Sequence, residues 1–282
     1  RQHGVRYRQA SFLPDGKSLL ALSDESGEVE FWQLPANGVG PRKQLTRDAA
    51  TLRMSGLTSP DGKWIAYYEG VPGFEAPYVY DMPALYIAPA SGGVPRRLVP
   101  GFVAVSQPVW SPDGKHLLIV GGPSPEDIDW WLAPIEGGNP VRLSVIELIQ
   151  KGRGLRRAPN AWSGDWIYFT ADLGDSRNIW KVPIDGRRLQ FTGEAVRVTS
   201  GSGIEESLRV AGDRLIFSNL SENADVWVLP IEPNSAKVTG KLQRITEEVA
   251  PNDTASVDSA GRYTAFRTYR GGANNIVLRD LS

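Results

Sequence analysis

Enzyme chemistry on a polypeptide needs a nucleophile, a base or a metal, and this 282-residue chain is poor in all three. It has two histidines and no cysteine. The lack of cysteine removes thiolate nucleophiles, disulfides and thiolate metal sites. His3 lies close to the first residue, and His116 directly follows Pro112-Asp113-Gly114-Lys115. Neither stands beside a serine or carboxylate pattern that would activate it, so His116 reads as a turn or strand residue. No Gly-x-Ser-x-Gly elbow, glycine-rich phosphate loop or His-Glu-x-x-His zinc helix is present. The serine of Gly201-Ser202-Gly203 has no sequence partner. Carboxylates gather at Asp24, Glu25 and Glu28 and at Glu126, Asp127 and Asp129. Hard cations need several oxygen ligands at fixed spacing, and neither group has the EF-hand pattern. Both read as solvated loop charge. No catalytic residue, metal or cofactor is expected, and the chain reads as a non-enzyme.

Other residues have types suited to binding. The segment Glu69–Pro83 carries Phe74, Tyr78 and Tyr80 among three prolines. Its rings either form an interface patch or fold back on a neighbouring sheet. Lys151, Arg153, Arg156 and Arg157 make a local basic patch, open to ion pairs with acidic neighbours or to a carboxylate or phosphate ligand. The net charge is −1, so bulk attraction to nucleic acid or an anionic membrane is not expected. No 18-residue apolar run occurs, so membrane insertion is not expected. The abrupt start at Arg1-Gln2-His3 suits a mature or excised fragment. A monomer is expected.

The elements that hold these residues come from a repeat. Trp110-Ser111-Pro112-Asp113-Gly114-Lys115 joins two apolar runs, and Leu13-Pro14-Asp15-Gly16-Lys17 and Ser59-Pro60-Asp61-Gly62-Lys63 do the same. Degenerate copies follow at Trp162–Asp165, Val210–Asp213 and Val257–Gly261. Proline presets one turn angle and Asp-Gly supplies a positive-φ residue, so each copy predicts a strand, a two-residue turn and a strand. A third run with a large residue follows, usually ending in proline, and a short fourth run with a Leu-Thr-like end closes most copies. Trp32, Tyr86, Trp131, Trp180 and Trp227 are expected at equivalent third-strand positions. Six copies of about 45–54 residues match the period of a four-stranded propeller blade. The expected fold is an all-β, six-bladed β-propeller of four-stranded antiparallel blades forming one domain over 1–282, with blades near 7–46, 53–99, 106–144, 157–199, 205–246 and 253–282.

In such a blade, the loops between second and third strands and those between blades share one face. These are the loops that vary in length here, so binding is expected on that face. The starts of the inner strands should ring the channel mouth there: Arg8, Gln9, Arg53, Gln107, Ala158, Glu205, Glu206, Asn252 and Asp253. That mixed polar ring suits a peptide or zwitterion better than DNA. The last copy ends near its third strand, which predicts either closure by Gln2–Arg6 beside Asn275–Arg279 or a three-stranded last blade.

The repeated Trp-Ser-Pro-Asp-Gly-Lys with its Leu-Thr closing run resembles the TolB-type propellers of bacteria, a WD-repeat-like family, over the whole chain. Asn219–Pro230 resembles propeller regions attached to bacterial kinases and winged-helix regulators. Leu22–Glu28 resembles tricorn-type peptidase propellers. The resemblance implies an accessory sensing or protein-binding module, in an extracytoplasmic setting. The alternatives are a propeller hydrolase or lyase acting at the channel mouth and a gate on a peptidase.

Overall fold

The computed structural model describes residues 4–47, 52–70, 84–145, 157–173, 176–201, 203–220, 224–232, 234–246, 252–270 and 273–281. The fold is all-β and built from successive antiparallel sheets. In unit 1, strands Tyr7–Phe12, Ser18–Ser23, Glu30–Pro35 and Lys43–Gln44 form a four-stranded sheet in chain order. Unit 2 repeats it with Leu52–Thr58, Trp64–Gly70, Ala84–Pro89 and Arg96–Leu98. Unit 3 does so with Ala104–Trp110, His116–Gly122, Asp129–Pro134 and Val141–Arg142. In unit 4, Arg157–Ser163, Trp166–Leu173, Ser176–Asp185 and Val196–Arg197 pair in the same order. A single parallel bridge, Arg177 to Ile204, joins this sheet to Ile204–Ala211 and Arg214–Leu220 of unit 5. The outer part of unit 5 is a separate pair, Trp227–Val228 with Gln243–Arg244. Unit 6 has three strands, Asn252–Val257, Tyr263–Arg270 and Ala273–Asp280.

Register confirms the repeat. Trp32, Tyr86, Trp131, Trp180 and Trp227 pair with Gln44, Arg97, Arg142, Arg197 and Arg244 of their outer strands, so they are equivalent. The turns divide into two kinds. In units 4 and 5, Ser163 pairs with Trp166 and Ala211 with Arg214, leaving the expected two-residue turns. In units 1–3 the turn is longer than expected. The Ser59 amide donates to the Trp64 carbonyl and Gly62 donates back to Ser59, which leaves four residues between Ser59 and Trp64. The reason is the aspartate. Asp15, Asp61 and Asp113 accept the amides of Lys17, Lys63 and Lys115 at 2.8–3.1 Å. This closes an Asx turn around a glycine at φ 63–74°.

The core lies between neighbouring units. Leu20, Leu22, Phe31 and Leu45 of unit 1 pack on Ile65, Tyr67 and Ala88 of unit 2. Ile87 and Leu98 meet Val105, Leu117 and Ile119, and Leu118, Trp130 and Leu132 meet Ile167, Phe169 and Val182. Units 2 and 3 therefore bury both faces of their sheets on their neighbours. Unit 6 departs from this pattern: Val257, Ile276 and Leu278 are 61–75% exposed. Arg6 donates its amide to Asp24 at 2.7 Å and so runs alongside its own unit. Among the described residues, Ala273–Asp280 pairs only with Tyr263–Arg270. Closure by residues 2–6 is therefore not the arrangement found at Arg6, and residues 1–3 lie outside the described residues.

Candidate functional site

The starts of the inner strands carry two devices that the sequence did not announce. The first is a latch between units. At the start of the third strand in unit 1, Glu30 takes the Thr46 hydroxyl and the Arg53 guanidinium of unit 2. The Phe31 amide donates to the Thr46 oxygen at 2.9 Å. Glu30 and Arg53 are both 2% exposed. The same parts recur between units 4 and 5: Thr199 donates to Glu205, Ile179 donates its amide to Thr199 at 2.9 Å, and Asn178 donates to Gly201. Between units 5 and 6, Thr246 donates to Asp225 at 2.8 Å, the Val226 amide donates to Thr246, and Asn252 donates to the Ala224 carbonyl. The threonine of the Leu-Thr ending is thus a two-way relay: its oxygen accepts a backbone amide while its proton goes to a carboxylate. Unit 3 uses Asp129 alone, accepting the Trp130 and Val145 amides and the Arg142 guanidinium.

The second device is a bulge in every inner strand. Registers shift between Arg8 and Ser11, Met54 and Leu57, Glu206 and Arg209, and Asp253 and Ser256, with matching shifts in units 3 and 4. Gln9, Gln107, Ser207 and Thr254 sit at one equivalent position with φ of 50–55°. Such left-handed non-glycine residues cost about 1–2 kcal/mol each. In unit 4 the position is Pro159, whose ring forbids positive φ. All four left-handed side chains are polar and exposed.

The residues expected at the mouth divide accordingly. Arg53, Glu205 and Asn252 are 2–5% exposed. Their side chains belong to the latches, because a buried charge or amide must be paired, and they do not present to solvent. Arg8, Gln9 and Gln107 are exposed. Glu206 is half-buried beside Arg177, at 3.4 Å. Asp253 is held by both arms of Arg267, at 2.7 and 2.5 Å, and that guanidinium lowers its carboxyl pKa. Phe74, Tyr78, Tyr80 and Arg156 lie outside the described residues, as do the side chains of Arg157 and Ala158.

A serine, an aspartate and a histidine do come together at Ser111, Asp113 and His116, on the turn. The Ser111 hydroxyl donates to Asp113 at 2.6 Å and accepts the His116 backbone amide at 2.9 Å. Ser59 and Asp61 make the same contacts in unit 2, with Trp64 in the histidine position. The arrangement is a turn clasp: the Ser111 hydroxyl donates to Asp113, and His116 contributes its backbone amide. Among the described residues no group of acidic or imidazole side chains could hold a metal.

No family model matches the chain. Over 186 residues it is 28% identical to the uncharacterized protein Atu1656 of Agrobacterium fabrum, covering 65% of this chain and 57% of that protein. Over 155 residues it is 28% identical to the uncharacterized peptidase YuxL of Bacillus subtilis, covering 51% of this chain and 22% of that one. The chain therefore spans about half the length of the first relative and about a fifth of the second. Among solved structures, a puromycin hydrolase aligns with TM-score 0.51 at 15% identity, over 94% of this chain and 42% of its own. A prolyl endopeptidase aligns with TM-score 0.50 at 12% identity, over 98% and 41%. A putative TolB from Agrobacterium tumefaciens has TM-score 0.48 at 20% identity, over 98% and 77%. The likeness to the puromycin hydrolase and the prolyl endopeptidase is one of fold, shared with their propeller domains.

Proposed function

We propose that this chain is a six-bladed β-propeller that binds a protein or an extended peptide over the loop ends of its inner strands, without chemistry of its own. The observation that carries this is the row of exposed left-handed bulge residues, Gln9, Gln107, Ser207 and Thr254. Backbone strain held at one position in strand after strand needs a compensating use. Each bulge takes peptide groups out of the ladder and adds a neutral amide or hydroxyl beside them. An array of neutral donors and acceptors flanked by Arg8, Glu206 and Asp253 suits a peptide backbone with mixed side chains. A second reading is favoured by the relative named a peptidase: this chain would then be the substrate gate of a hydrolase.

Panning a displayed peptide library on the purified chain tests the proposal. Enriched peptides should bind the triple variant Gln9→Ala, Gln107→Ala, Thr254→Ala at least tenfold more weakly at unchanged melting temperature. A gate that only sorts by size enriches none, and peptides indifferent to the triple variant would refute the bulge site. Hydrolysis of the enriched peptides by the chain itself would overturn the non-enzymatic reading.

A further inference from the structure

The junction between units 4 and 5 departs from the others. In units 2 and 3 the paired positions Ala66–Ile87 and Leu118–Leu132 are fully buried in the contact with the next unit. Their register equivalents in unit 4 are Tyr168 and Lys181. A lysine ammonium is hard to bury without a carboxylate. Where the junctions between units 1 and 4 hold a core, this one opens into a cleft of 510 Å³ lined by both residues. Its apolar lining comes from Val196 and Val198 on one side and Val210 and Leu215 on the other.

The charges in the cleft are poorly compensated. Lys181 makes no ion pair among the described residues, and its ammonium rests 4.2 Å from the centre of the Trp166 ring. Arg197 occupies the position of Arg142 and Arg244. Those two arginines pair with Asp129 and Asp225 at 3.0 and 2.7 Å. In unit 4 the equivalent residue is the neutral Asn178, so Arg197 binds the Asn178 and Thr199 oxygens instead. Glu205, the nearest buried carboxylate, is engaged by Thr199 and Asn178. Arg214 adds a third cation at the rim, and Asp213, 4.0 Å from it, is 97% exposed and screened by water.

We infer that the cleft between units 4 and 5 is a binding site for a small amphipathic anion, a carboxylate with an aliphatic tail, whose head meets Lys181 and Arg197 and whose tail covers Val198, Val210 and Leu215. The volume falls in the range of small-molecule sites, about 300–1,000 Å³. A headgroup would draw Lys181 off Trp166, so binding should change the fluorescence of that ring.

Decanoate is the probe, with decan-1-ol as its uncharged match, followed by calorimetry and tryptophan fluorescence. The expected result is saturable one-to-one binding of decanoate, at least tenfold weaker binding of the alcohol, and at least a tenfold loss in both Lys181→Gln and Lys181→Leu. Lys181→Leu should also raise the melting temperature, since it restores the residue found at Leu132. Trp166→Phe should keep binding and lose the fluorescence change. No saturable binding below 1 mM, equal binding of acid and alcohol, or undiminished binding by both Lys181 variants would each overturn the site.

Discussion

The junction between units 1 and 2 and the junction between units 5 and 6 are assembled from the same polar parts. Glu30, Thr46 and Arg53 serve one; Asp225, Thr246 and Asn252 serve the other. Their apolar surroundings differ. At the first junction Phe31 meets Tyr67 edge-on at 5.3 Å, inside a cluster that includes Leu20, Leu45 and Ile65. At the second, Ile216 and Val257 are 61–67% exposed. A latch fixes which residues of two units face each other, while side-chain interdigitation supplies most of the free energy. Units 5 and 6 have the first without much of the second.

Phe31→Ala should break the comparison most visibly. It removes a 1% exposed ring and should cost about 3–5 kcal/mol in urea unfolding. Ile216→Ala, at 67% exposure, should cost under about 1 kcal/mol. Equal losses would mean that the two junctions are packed alike.

Gly56→Ala sharpens the point. A Cβ at Gly56 would lie 2.2 Å from the Phe31 ring, so one methyl should cost about 1–3 kcal/mol by overpacking. Combined with Phe31→Leu, the loss should shrink; strictly additive losses would show that the ring is not the obstacle.

The smallest effect is in the turns. Asp15 is lowered in pKa by the Lys17 and Ser18 amides, and Asp61 by the Ser59 hydroxyl and the Lys63 amide. For Asp113, burial raises the pKa, but the Ser111 hydroxyl and the Lys115 amide outweigh it and the net shift is downward. A carboxylate whose folded pKa lies below its unfolded value of about 3.9 stabilises the fold above that pH and loses the contribution as pH falls through the folded value. Melting temperature should therefore fall below about pH 4. Asp61→Asn should flatten that slope, and an unchanged slope would show that the clasp contributes nothing.

Much of this architecture was legible in the chain. The spacing of Pro-Asp-Gly turns, large third-strand residues and Leu-Thr endings determined the repeat, the strand order and the equivalence of Trp32 through Trp227, because turn chemistry and alternation act within a few residues. The two-residue turn holds in units 4 and 5, while in units 1 to 3 the aspartate's reach for the amide two residues on lengthens it. Tertiary structure alone decided the fate of the mouth residues. Arg53, Glu205 and Asn252 look like exposed polar starts in sequence, and only the approach of Glu30, Thr199 and Ala224 from the preceding unit buries them. Lys181 reads as an ordinary strand lysine until its register against Leu132 shows it standing in a core position. Contacts across units join residues tens of positions apart, and no local pattern of residue types encodes which polar side chain will meet its partner there and which will be left facing a cleft.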